Sequence, residues 1–130
     1  MQTSIDWVKI SGCTLEERKK AIPYINRLLD LKNTFEKFGI EGFAEFISSS
    51  SNVFEKTALN LVMQGCMPEM CRTILYYLLA SSKLENLPYL KNVIFAEFIL
   101  MIQKGHVNNQ DVKRLLLSFL GIECADEFLH

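Results

Sequence analysis

The sequence predicts an all-α fold, arranged as a compact single domain of about six helices. Apolar residues recur at helical spacing along most of the chain, and residues that start and stop helices separate these stretches at regular intervals. Alternation of period two, the pattern of a half-buried strand, is nowhere sustained. The chain has 130 residues, of which 49% are hydrophobic and 22% charged. That length and composition are typical of one globular domain with its own core.

The N-terminal region, residues 1–36, is predicted to form an amphipathic helix. Thr14 and Glu17 have the spacing of a capping box, which indicates a helix start. Pro23 is expected either to kink this helix or to mark the start of its long part. The apolar stripe of the helix consists of Ile22, Ile25, Leu28, Leu29 and Leu31.

The middle of the chain predicts three helices. Gly39 ends the first region, and a short helix then runs to the serine loop at residues 48–51. Asn52 is expected to cap the next helix, which stops at Gly65. Pro68 opens the fourth helix, in the first turn, where the missing proline N–H costs nothing.

The C-terminal part predicts a fifth helix from about Tyr89 to Lys104, which ends at Gly105. The sixth begins at Asn108 or Asn109 and ends at Gly121.

Two helix–glycine–helix units, one around Gly65 and one around Gly105, therefore predict two αα-hairpins packed side by side. The structural hinge positions are Gly39, Gly65, Pro68 and Gly105. The predicted core includes Leu59, Val62, Ile74, Leu78, Ile94, Ile99, Leu116 and Phe119.

Charge and hydropathy exclude several classes of partner. The net charge is −1 and the isoelectric point is about 6.1, so we expect no nucleic-acid binding. The longest apolar run, Val93 to Ile102, contains Glu97 and is too short to cross a bilayer. Without a membrane span or a secretory signal, the protein is expected to be soluble and cytoplasmic.

No motif indicates catalysis, a cofactor or a metal site. Phosphate-binding glycine loops, HExxH and GxSxG are absent. Besides His106 and His130, the metal-binding candidates are four cysteines without a CxxC pair: Cys13, Cys66, Cys71 and Cys124. We therefore expect reduced thiols, no metal, no cofactor and no enzymatic activity.

The hairpin from Glu97 to Leu120 resembles the C-terminal cytoplasmic part of the MotA family of flagellar stator proteins. That family reads I-I-E-G-x-L-x-I-Q-x-G, a short turn, and a helix that ends in L-L-S-F-L. This chain matches it at Ile94, Glu97, Leu100, Ile102, Gln103, Gly105, Asn108 and residues 116–120.

A second stretch resembles the other cytoplasmic part of the same family, so that the likeness covers residues 37–120. The first matching positions are Lys37, Gly39, Ile40 and Phe43. An ungapped series then matches at Phe54, Lys56, Leu59, Leu61, Val62, Gly65, Pro68, Glu69, Arg72, Ile74 and Leu75.

The departures from the family define the expectation. The membrane helices of the stator are missing from the chain, Phe98 stands in place of a glycine, and Gln64 in place of an acidic residue. The resemblance implies a stator-like helical unit at residues 37–120, followed by a tail at 121–130. It also implies a protein partner, such as a flagellar motor component, and is compatible with a homo-oligomer. A generic αα-hairpin adaptor unrelated to motility is the alternative.

The expected working surface is one flank of the helix that follows Asn52. Glu55, Lys56, Asn60 and Gln64 are predicted to be exposed there, while Leu59, Val62 and Met63 are predicted to face inward.

Overall fold

The computed structural model describes residues 5–105 and 107–129. Within these ranges the chain forms seven α-helices: α1 (Leu15–Lys19), α2 (Ala21–Phe38), α3 (Ala44–Ser49), α4 (Val53–Met63), α5 (Pro68–Ser81), α6 (Asn86–Lys104) and α7 (Asn109–Ser118). Three 3-10 helices cover Trp7–Ile10, Gly39–Phe43 and Ile122–Leu129. None of the residues in the described ranges forms a β-strand, so the predicted all-α fold is confirmed. The expected number of about six helices is not: α3 corresponds to the short helix predicted before the serine loop, but the predicted N-terminal helix is divided into α1, of five residues, and α2.

Local signals position the helix ends. Thr14 Oγ1 accepts a hydrogen bond from the Glu17 N–H at 3.1 Å and completes the predicted capping box. Asn52 and Asn108 cap α4 and α7 through their side-chain oxygens. Pro68 is the first residue of α5. Thr14, Asn52 and Asn108 satisfy backbone donors that the helices leave unpaired, and the sequence alone is sufficient to find these caps and the first-turn proline.

The glycines predicted as hinges lie at helix ends. Gly39 follows α2 and Gly105 follows α6, each with φ of +69°, and Gly65 lies between α4 and α5 with φ of +79°. A side chain is strained at such positive φ values, which explains why glycine stands there. Their role as hinges stays a prediction.

The long N-terminal helix starts after a break. The chain bends at Lys20 between α1 and α2, and Pro23 is the third residue of α2, so this proline marks the helix start. α2 then packs against α6 and α7 through a stripe that includes Ile25, Leu28 and Leu31. α2 thus covers part of the unit predicted at residues 37–120.

The central element is α6, which contacts α2, α4, α5 and α7. Because helices lie on several of its sides, apolar residues are buried nearly all round it. Its buried apolar side chains are Tyr89, Leu90, Val93, Ile94, Phe95, Ala96, Phe98, Ile99, Leu100 and Ile102.

The predicted core is confirmed in part. Leu59, Ile94, Ile99 and Leu116 are fully buried, and Val62 and Phe119 are partly buried against the core. Ile74 is partly exposed on the outer side of α5 and does not belong to the core. Leu78 is 39% exposed, because α5 turns Cys71, Leu75, Tyr76 and Leu79 toward the core. A helix that is apolar on both sides cannot bury both against the same neighbour.

Candidate protein-interaction surface

The flank of α4 predicted as the working surface is only partly a surface. Asn60 and Gln64 are exposed and Lys56 is partly exposed, as expected. Glu55 is 4% exposed, so its prediction as a surface residue is wrong. It lies three and four residues before Ala58 and Leu59, on the helix face that enters the core. Met63 is wrong in the opposite direction, since it is 38% exposed.

Glu55 is held inside the protein by hydroxyl groups. Ser50 Oγ donates to Glu55 Oε1 at 2.7 Å, and the Tyr24 hydroxyl donates to Glu55 Oε2. Burial, followed by the negative charge of Glu55, raises the pKa of the Tyr24 hydroxyl well above its usual range. The carboxylate thus joins α2 to the loop before α4, so Glu55 stabilises the fold and does not form part of a surface for a partner protein.

The outer side of α5 is apolar and uncovered. Met67, Met70, Tyr77 and Leu78 are 73%, 57%, 52% and 39% exposed, and Ile74 between them is partly exposed. Their spacing of three and four residues places Met70, Ile74 and Leu78 along one side of the helix. No charged residue occurs in α5 from Thr73 to its end at Ser81. The helix therefore presents a second apolar stripe to the outside.

This stripe continues into a groove where α4 begins and α5 ends. The groove contains a cavity of ≈ 300 Å³, whose walls include Val53, Phe54, Leu78 and Leu84. A neighbouring cavity of ≈ 320 Å³ shares Leu84 with it. Both cavities are lined by Asn52 and Asn92, whose side chains are joined by a hydrogen bond of 3.0 Å from Asn52 Nδ2 to Asn92 Oδ1.

We call the α5 face the set of six exposed apolar side chains Val53, Met67, Met70, Tyr77, Leu78 and Leu84. Val53 and Leu84 are 77% and 43% exposed. With each full side chain taken at roughly 150–200 Å², the exposed parts amount to about 600 Å². The largest apolar patch of a typical monomer measures about 300–600 Å² and is often functional, so this face is a candidate interaction site. The sequence signal for this face was the number of apolar residues around the whole of α5, because one contact with the core buries only one side of a helix.

A polar contact fixes α5 to α6 on the other side. The Tyr76 hydroxyl donates to Glu97 Oε2 at 2.8 Å, and Arg72 lies 3.6 Å from the same oxygen. Burial and the Glu97 charge raise the pKa of Tyr76. Because this contact holds the inner side of α5 against α6, the α5 face is directed away from the core.

The cysteines are free thiols, three of them buried and Cys66 partly buried. Burial raises the pKa of Cys71 to about 11. In the part of the chain that the structure describes, no group of three histidine, cysteine or acidic residues is placed to hold a metal ion. Both histidines lie outside the described residues. The expected absence of metal and cofactor stays a prediction.

No protein-family model, curated protein or solved structure matches this chain. The resemblance to the MotA family therefore rests on the motif residues alone. Among the described helices, none has the length and the apolar character that a bilayer crossing requires.

Proposed function

We propose that this protein works by binding other proteins and that it has no catalytic, cofactor or metal site. The observation that supports this proposal is the α5 face, with about 600 Å² of apolar side chain uncovered beside a groove. Its exposed methionines adapt their flexible side chains to a partner surface, a property that recurs at protein-binding sites.

We further propose that one partner is a component of the flagellar motor, met in the cytoplasm. This follows from the resemblance to the MotA family. The two helix pairs that carry the resemblance are α4–α5, joined through Gly65, and α6–α7, joined through Gly105. Both α4 and α5 contact α6, and this contact between the two matched stretches supports the proposal.

Specificity for this partner is assigned to the exposed part of the predicted flank, Lys56, Asn60 and Gln64. Exposed charges at an interface govern the rate of encounter and the choice of partner more than fold stability. Lys56 keeps the basic residue of the stator motif, whereas Gln64 lacks the family's acid. The partner surface that fits this flank therefore carries negative charge opposite Lys56.

The experiment is capture of partners from a lysate of the native host with Lys56→Glu as bait. We expect less capture of motor components and an unchanged melting temperature. Lys19→Glu, an exposed lysine of α1 far along the chain from α4, is the matched control and should capture as well as the original protein.

The alternative, a generic αα-hairpin adaptor, predicts a different result. Capture would then be indifferent to Lys56→Glu, and the captured set would contain no motility protein. Deletion of the gene, scored separately for swimming and for flagellar assembly, gives an independent decision between the two functions.

A further inference from the structure

We infer that the α5 face is covered by the α5 face of a second copy of this chain, in an antiparallel, two-fold symmetric contact. This goes beyond the proposed function because it names the chain itself as a partner. The contact uses α5 and the start of α4, and it does not require Lys56.

The area of the face is adequate for a dimer. A standard protein–protein interface buries about 800 Å² on each partner, of which somewhat more than half is apolar. The α5 face supplies about 600 Å² of apolar side chain, and neutral residues such as Thr73, Ala80 and Ser81 surround it. The apolar share of a standard interface is therefore available on one chain.

The charges around α5 favour a copy of the same chain. In a two-fold contact the same surface patch of both copies meets, so a charge at the centre of the patch would be repelled by the same charge on the second copy. From Thr73 to Ser81 there are none. Exposed Glu69 lies near the start of α5, and exposed Lys83 lies just beyond its end. An antiparallel pair brings Glu69 of one copy towards Lys83 of the other, at both ends of the interface.

The same arrangement places two α4–α5 pairs against each other. Four helices packed in this way form a bundle-like layer, a common solution for burying a second apolar stripe. Glu69 opposite Lys83 places the two-fold axis near residue 76, so Tyr77 and Leu78 of one copy lie close to the same residues of the other at the centre of the contact.

The test is sedimentation of the full chain from low to several hundred micromolar. We expect a monomer–dimer equilibrium in this range. Met70→Glu and Tyr77→Glu should each raise the dimer dissociation constant by about tenfold or more, because each change places a carboxylate without a partner inside an apolar interface. Phe38→Glu, at a side chain 59% exposed at the end of α2, is the matched control and should leave the dissociation constant unchanged.

A charge exchange tests the antiparallel arrangement without changing the apolar centre. Glu69→Lys and Lys83→Glu should each weaken the dimer, and the double variant should restore it. A chain that is monomeric at all concentrations would overturn the inference, and so would a dimer that persists in both glutamate variants. A double variant that fails to restore the dimer would overturn the antiparallel arrangement.

The outcomes are distinct from those of the proposed function. A monomer that still captures a motor component through Lys56 overturns only the dimer. A dimer whose lysate capture contains no motility protein overturns only the motor link.

Discussion

Replacing Tyr24 with phenylalanine tests whether the buried Glu55 carboxylate depends on its hydroxyl donors. The change removes one oxygen and leaves the ring in place. Glu55 is 4% exposed, so its carboxylate depends mainly on donors of the protein. Ser50 Oγ, at 2.7 Å from the other carboxylate oxygen, then remains as the one hydroxyl donor among the described contacts.

The magnitude follows from the charge of the acceptor. A hydrogen bond to a charged group contributes about 1.5–3 kcal/mol net, and an unsatisfied buried acceptor costs a similar amount. We therefore expect Tyr24→Phe to lower the free energy of unfolding by about 2 kcal/mol. With a urea dependence of about 2 kcal/mol per molar, the midpoint should fall by roughly 1 M.

The assay is urea unfolding followed by circular dichroism, with Tyr77→Phe as the matched control. Tyr77 is 52% exposed, so its variant should stay within about 0.5 kcal/mol of the original protein. In a Glu55→Gln background the acceptor is neutral, and the cost of Tyr24→Phe should fall to about 1 kcal/mol. A loss for Tyr24→Phe no larger than that for Tyr77→Phe would refute the role assigned to the pair.

Two further predictions concern packing and pH. Leu116 is fully buried, so Leu116→Ala should lower the free energy of unfolding by about 2–5 kcal/mol, measured by urea unfolding. The adjacent Leu115 is 39% exposed, so Leu115→Ala should cost less than about 1 kcal/mol, and equal losses would contradict the assignment of Leu116 to the buried side of α7. Burial and neighbouring glutamates raise the pKa of Tyr24 and Tyr76 in the folded chain. As the pH rises above about 10, the unfolded chain therefore loses these two protons before the folded chain does, and the free energy of unfolding should decline. Unfolding midpoints measured between about pH 8 and 11 should show a smaller decline in Tyr24→Phe, and a decline identical to that of the original protein would contradict it.

The helices themselves were predictable because their signals are local. Each signal acts on the backbone within a few residues of itself, whatever the rest of the chain does: Thr14 accepts a backbone hydrogen bond, Pro68 fits the first turn of a helix, and Gly105 adopts the positive φ that ends one. The start of α6 shows the limit of this reasoning. It begins at Asn86, with a φ of +55°, three residues before the predicted start, and no cap motif marks that position.

Which side of each helix meets the core was decided by tertiary packing. The sequence by itself determined that the chain is helical and where most helices end. It did not determine that Glu55 points inward while Met63 and Leu78 point outward. α4 and α5 carry apolar residues on more than one side, and helical spacing relates the residues of one helix only to each other. Which side of α4 and α5 is buried depended on where α6 and α2 lie. The positions of those helices are set by tertiary packing, which also left the α5 face uncovered.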